Sequence, residues 1–104
     1  MGLFSRKKSG GTVAEVMAAL SAHRAAGRTA DAISAATDLD ELLKKQFGER
    51  HAAVATNLAT LTELLIGAGE FTKAAAVGER ARDAWRAMVG EKHPSYAKTL
   101  ALIA

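Results

Sequence analysis

The chain has no cysteine. Disulfide cross-links and thiolate metal sites are therefore excluded, and a reducing, cytoplasmic setting fits. There is one proline, and β-branched residues are sparse beside alanine and leucine, a balance that favours helix throughout. No apolar run approaches the roughly 20 residues of a bilayer span. Met1 to Lys8 does not read as a secretory leader, because it is short and its basic residues follow the apolar pair Leu3-Phe4. A charge excess is also missing from most of the chain. Arg6, Lys7 and Lys8 account for the net charge of +3, and the remainder holds 11 basic against 11 acidic residues. A nucleic-acid-binding domain carries a basic face on its body, so no nucleic acid is expected as a partner.

What the chain does have is an internal repeat. Gly48-Glu49-Arg50-His51 returns 42 positions later as Gly90-Glu91-Lys92-His93. Ala26-Gly27 returns as Ala68-Gly69, Ala32 as Ala74, Ala55 as Ala97 and Leu58 as Leu100. A fixed period of this size is the sequence form of stacked units that bury their apolar faces on one another. The 104 residues make one domain with a modest core. The Ala- and Arg-rich usage is that of a bacterium with a GC-rich genome.

The repeat divides into helices. Residues 1–11 read as a basic, flexible arm ending in Ser9-Gly10-Gly11. Residues 12–104 hold the fold. Thr12 and Glu15 match a capping box, and Val13, Val16, Met17 and Leu20 follow at helical spacing. Ala32, Ile33, Ala36, Leu39, Leu43 and Phe47 form the next apolar face. Val54, Leu58, Leu61, Leu64, Leu65 and Ala68 form the third. Phe71, Ala74, Val77, Ala81, Ala84, Trp85 and Met88 form the fourth, with Trp85 expected in the core. Pro94 opens a fifth helix carrying Tyr96, Ala97, Leu100 and Ile103. The spacing predicts helices near 12–26, 29–47, 52–67, 71–89 and 94–104, broken at Gly27, Gly48, Gly69 and Gly90. Gly27 and Gly69 are expected at positive φ in tight turns.

The stretch Ala55-x-x-Leu58-x-x-Leu61-x-Glu63-Leu64-Leu65, then Gly69-x-Phe71-x-x-Ala74, Ala81 and Gly90-x-x-His93-Pro94, resembles a tetratricopeptide repeat of the 42-residue, kinesin light chain-like type. Residues 12–51 resemble a weaker earlier copy through Val16, Ala26-Gly27-Arg28, Ala32, Leu39 and Gly48-x-x-His51. The resemblance implies an all-α, right-handed stack of antiparallel helical hairpins, about two and a half repeats long. It also implies that the first helix of each hairpin lines a concave, protein-binding face. Placed on that pattern, the face runs through Met17, Ser21 and Arg24, then Ala59, Glu63 and Ile66, then Lys98 and Ala101. Two departures stand out. Peptide-holding members often show Leu-Asn-Asn-Leu, where this chain has Leu58-Ala59-Thr60-Leu61 and Leu100-Ala101-Leu102-Ile103. Ala59 and Glu63 also stand where a Lys/Asn carboxylate clamp would fall.

Catalytic and metal chemistry find no support in the spacing. His51 and His93 sit where helix caps belong, and no His/Asp/Glu cluster accompanies them. His23 reads as a packing or groove residue. There is no G-x-S-x-G, phosphate loop or dinucleotide fingerprint. No enzyme activity, cofactor or metal is expected. The arm admits several readings: solvated chain, contact with an acidic partner, or weak contact of residues 1–8 with an anionic membrane, at about 1 kcal/mol per basic residue. Myristoylation is rejected because Arg6 stands where the motif needs Ser or Thr. The leading expectation is a small adaptor that binds another protein. A self-assembling module is the alternative, with a homodimer joined through Tyr96, Leu100, Leu102 and Ile103 at the C-terminal end. A regulatory subunit acting through the arm is the third.

Overall fold

The computed structural model describes residues 11–89 and 101–102. Its order is α1 (Val13–Ala25), α2 (Thr29–Phe47), α3 (Ala52–Gly67) and α4 (Phe71–Val89). Among the described residues there is no strand, so the chain is all-α. Of the expected fifth helix, Ala101 and Leu102 are helical, and the rest lies outside the described residues. The same holds for the arm as far as Gly10. No helix among the described residues is long and apolar enough to cross a membrane.

Local chemistry sets the helix ends. At α1, Thr12 Oγ1 accepts the Glu15 N–H at 3.1 Å and Glu15 Oε1 accepts the Thr12 N–H at 3.0 Å, which completes the capping box. At α3, His51 takes the cap: its Nδ1 accepts the Ala53 N–H at 3.0 Å. The His51 ring also stacks on Phe47, with centroids 4.2 Å apart. The turns after α1 and α3 are built alike. Arg28 N–H donates to His23 O at 2.9 Å and Gly27 N–H to Arg24 O at 3.2 Å. Glu70 N–H donates to Leu65 O at 2.9 Å and Gly69 N–H to Ile66 O at 3.0 Å. Both are Schellman closures, and both need a left-handed residue at the glycine. Gly27 has φ +75° and Gly69 φ +79°, as the spacing predicts.

Among the described residues the helix backbones come close only between neighbours in sequence, and non-neighbours meet through long charged side chains. The chain is therefore an open array and not a closed four-helix bundle. α2 and α3 are each flanked on both sides. α3 buries Val54, Ala55, Leu58, Leu61 and Leu65 between α2 and α4. The α2 side supplies Ala32, Ala35, Ala36, Leu39 and Leu43, and the α4 side supplies Ala74, Ala81 and Ala84. Thr62 is also fully buried in α3, and its hydroxyl donates back to Leu58 O at 2.8 Å.

Four large apolar residues sit differently from the amphipathic reading. Phe71 is 65% exposed, Met17 52% and Phe47 43%, and Trp85 is half-buried. For α4 the cause is a close approach to α3. Its buried stripe is Ala74, Gly78, Ala81 and Ala84, all small, so Val77, Trp85 and Met88 flank the contact instead of filling it. Phe71 stands in the first turn of α4, ahead of that stripe. Phe47 leaves the core to stack on His51.

A charged link joins α2 to α4. Asp40 is buried on α2. Arg80 on α4 donates to both its oxygens, Nη1 to Oδ2 at 3.2 Å and Nη2 to Oδ1 at 3.3 Å. Arg80 Nη2 also reaches Glu49 Oε1 at 3.3 Å, and Lys44 Nζ lies 3.5 Å from Asp40 Oδ2. Burial disfavours the guanidinium charge, but the hydrogen bonds and charges of Asp40 and Glu49 outweigh it, and the Arg80 pKa is raised. Because the shift is upward, the contribution is complete at neutral pH and is lost as the pH rises through the raised Arg80 pKa.

Urea unfolding tests this packing. Leu58→Ala should cost about 2–5 kcal/mol, because the site is fully enclosed. Trp85→Ala should cost less, about 1–2 kcal/mol, and Phe71→Ala no more than about 0.5 kcal/mol. Arg80→Met should cost about 1–2 kcal/mol, below the usual figure for a broken buried pair because Arg80 is partly solvated and Lys44 remains beside Asp40. A Trp85 cost equal to that of Leu58 would place Trp85 in the core.

Candidate functional site

Among the described residues, the open array leaves one face of the first three helices uncovered. α1 and α3 do not approach each other closely, so a groove runs between them with α2 as its floor. Met17, Leu20, Ser21 and Arg24 form the α1 wall. Ala53, Thr56, Asn57 and Thr60 form the α3 wall, and Leu39 and Leu43 form the floor. The volume is about 350 Å³. That is near the lower end, about 300 Å³, of sites that enclose small ligands.

The lining is apolar at the base and carries hydroxyls at the sides. Arg24 is the one ionisable side chain in it. Arg24 Nη2 lies 3.8 Å from Glu63 Oε1 on α3, so the pair crosses from one wall to the other helix. Both partners are about half-exposed, and the pair contributes no more than about 1 kcal/mol. Its main effect is to cancel the charge of Arg24 at the groove.

Asn57 is the unusual member. It is 5% exposed. Its Nδ2 donates to the Ala36 carbonyl of α2 at 2.9 Å, which fixes the amide plane. Its Oδ1 is buried without a partner, the one such side-chain atom among the described residues. An unmet buried acceptor costs about 1–3 kcal/mol.

Of the face expected from the sequence, Met17, Ser21 and Arg24 line the groove together. Glu63 joins them through Arg24. Ala59 and Ile66 are half-buried on α3 and do not line it, and Ala101 is exposed. Lys98 lies outside the described residues, as do Tyr96, Leu100 and Ile103; Leu102 is half-buried. Thr56, Asn57 and Thr60, which line the groove, are not part of the face expected from the sequence. The signal available was polarity: an Asn and two Thr interrupt one flank of an otherwise apolar helix. His23 does not line the groove. It accepts a hydrogen bond from Arg28 Nε at 3.0 Å and helps close the first turn.

No Asp, Glu or His among the described residues lines the groove, and a guanidinium keeps its proton. Among the described residues no group of three His, Cys, Asp or Glu could hold a metal ion. A depression on the other side of α1 is lined by Glu15, His23, Asp31 and Asp38. Its polar groups are already engaged in part: Glu15 in the cap of α1, His23 with Arg28, and Asp31 with Arg28 at 3.9 Å.

No model of a known protein family matches the chain, and no curated protein matches it. The geometry of the groove thus carries the functional argument.

Asn57 does little for stability. Ala36 O belongs to a helix ladder and does not depend on the Asn57 amide, and Oδ1 is unmet. Asn57→Leu should therefore be neutral or stabilising, within about 1 kcal/mol in urea. A loss of more than about 2 kcal/mol would show that the amide is a structural strut.

Proposed function

We propose that the protein is a small, non-catalytic adaptor that binds another protein through the groove between α1 and α3. The observation that carries this reading is the groove itself: open, apolar at its base, edged with hydroxyls and without a free charge. A protein segment can exclude water from such a surface. The 42-residue sequence period supports a repeat architecture of tetratricopeptide type, a right-handed stack of helical hairpins. So does the equal length of α2 and α4, whose first residues are Thr29 and Phe71. In that architecture the first helices of successive hairpins, here α1 and α3, carry the binding face. A reducing cytoplasmic compartment suits a chain without cysteine.

The test uses the full chain as bait in an extract of its native host, with bound proteins identified by mass spectrometry. The variant Met17→Glu combined with Thr60→Arg puts charge on both walls at solvent-accessible positions and should leave the circular dichroism unchanged. The expected result is a defined partner held by the wild type and lost by at least about tenfold in the variant. Equal capture by both would move the binding surface away from the groove.

A further inference from the structure

We propose that the cleft on the far side of α1 from the groove is the docking site of the chain's own basic segment, Arg6-Lys7-Lys8, folded back from Gly11 and held by Asp31 and Asp38. This goes beyond the adaptor reading and does not depend on it, since the groove and the cleft share no lining residue. The register of the sequence repeat is the first argument. Asn57 on α3 donates to Ala36 O of α2, and Arg80 on α4 reaches across α3 to Asp40 of α2. One period of 42 residues earlier, the positions of Asn57 and Arg80 are held by Glu15 and Asp38. Both line the cleft, beside Val16, Ala19 and Ala35. The cleft therefore lies on the pair α1–α2 where α2 itself lies on the pair α3–α4. α2 is the segment that leads into α3, and the segment that leads into α1 is the arm. Gly11, where the arm joins, also lines the cleft.

The second argument is charge. In the link between α2 and α4 the later helix brings the base, Arg80, and the earlier one the acid, Asp40. In the cleft the signs are exchanged: the later position holds the acid, Asp38, so the segment that meets it has to bring a base. Asp38 is half-buried and has no ion pair or hydrogen bond among the described residues. Arg28 approaches Asp31 only to 3.9 Å, with both side chains exposed, and leaves the acidic character of the cleft in place. The arm carries the chain's whole excess of positive charge in Arg6, Lys7 and Lys8. Reach is the third argument. Lys8 and Arg6 stand roughly 10 Å and 17 Å of extended chain from Gly11. Along α1 the rise from Thr12 to His23, the far end of the cleft, is about 16 Å. Glu15 and Asp38 mark the near end, and His23 and Asp31 the far end, so the three bases fall within reach of both aspartates. The volume of about 360 Å³ suits a few residues of chain and not a whole helix.

The test places a nitroxide on Ser5→Cys, a unique attachment point because the chain has no other thiol, and reads the broadening of amide signals in the full isotope-labelled chain. The expected result in dilute buffer is strong broadening at His23, Asp31 and Ser34, the far part of the cleft. It should fall at least about threefold in about 1 M salt, where the screening length is about 3 Å. The same fall is expected in Asp31→Asn combined with Asp38→Asn, and in Arg6→Gln, Lys7→Gln and Lys8→Gln together. The arm variant leaves every described residue in place, so it gives the same readout even if the aspartate variant loses helix by circular dichroism. Broadening that ignores salt and both variants would overturn the inference, as would broadening confined to the residues next to Gly11. Unlabelled tagged chain mixed with labelled untagged chain gives a further arm: broadening of the cleft in that mixture would assign the cleft to the arm of a second copy and would also overturn it. Met17 and Thr60, the positions varied to test the groove, do not line the cleft, so this inference and the adaptor reading fail separately.

Discussion

The structure depends on the double burial of α3. One helix supplies the apolar surface for two partners, α2 and α4, through Val54, Leu58, Leu61 and Leu65, and among the described residues it has the largest fully enclosed side chains, Leu58, Val54 and Thr62. Everything else is arranged around keeping those two contacts close. α4 meets α3 with a stripe of Ala74, Gly78, Ala81 and Ala84, and α2 meets it with Ala32, Ala35 and Ala36 beside its leucines. Small residues on α2 and α4 let the bulky residues of α3 fill the space between them. Arg80 and Asp40 then tie α4 to α2 by a bidentate bond across α3.

The same arrangement produces the groove. A helix packed on both sides by its sequence neighbours cannot also be covered by α1, which is tied to α2 by its own short turn. The surface of α3 that faces α1 is thus left open, and it is there that Thr56, Asn57 and Thr60 stand. Polar residues at these positions keep the open face wettable while Leu39 and Leu43 beneath it remain apolar. A surface of this kind is stable in water and still gains from excluding it.

Much of this was legible in the sequence, for identifiable reasons. The ends of α1 and α3 follow from local chemistry: a capping box at Thr12, a histidine cap at His51, and glycines that alone tolerate the left-handed closure. The bounds of α2 and α4 follow from the repeat. Side-chain placement was less legible, because helical periodicity marks a face but not which part of it a neighbour will touch. Trp85 and Phe71 fall on the apolar face of α4, yet the residues of that face that are buried are the small ones, Ala74, Gly78, Ala81 and Ala84. The Asp40–Arg80 link joins residues far apart in the chain, and no local pattern announces it. In the candidate groove, Met17, Ser21 and Arg24 of the face that the resemblance implies line the α1 wall. On α3 the wall is Ala53, Thr56, Asn57 and Thr60, and Ala59 and Ile66 do not line it, which depends on how α3 is rotated against α2. That rotation is fixed by packing and not by spacing.

The central claim is that one face of the array, the groove between α1 and α3, is where this protein meets its partner. Hydrogen exchange of the full chain, alone and with the partner captured from its host, measures this directly. The account predicts added protection concentrated in the segments around 17–24 and 53–60, with α4 unchanged. Protection confined to α4, or spread evenly over all four helices, would contradict it.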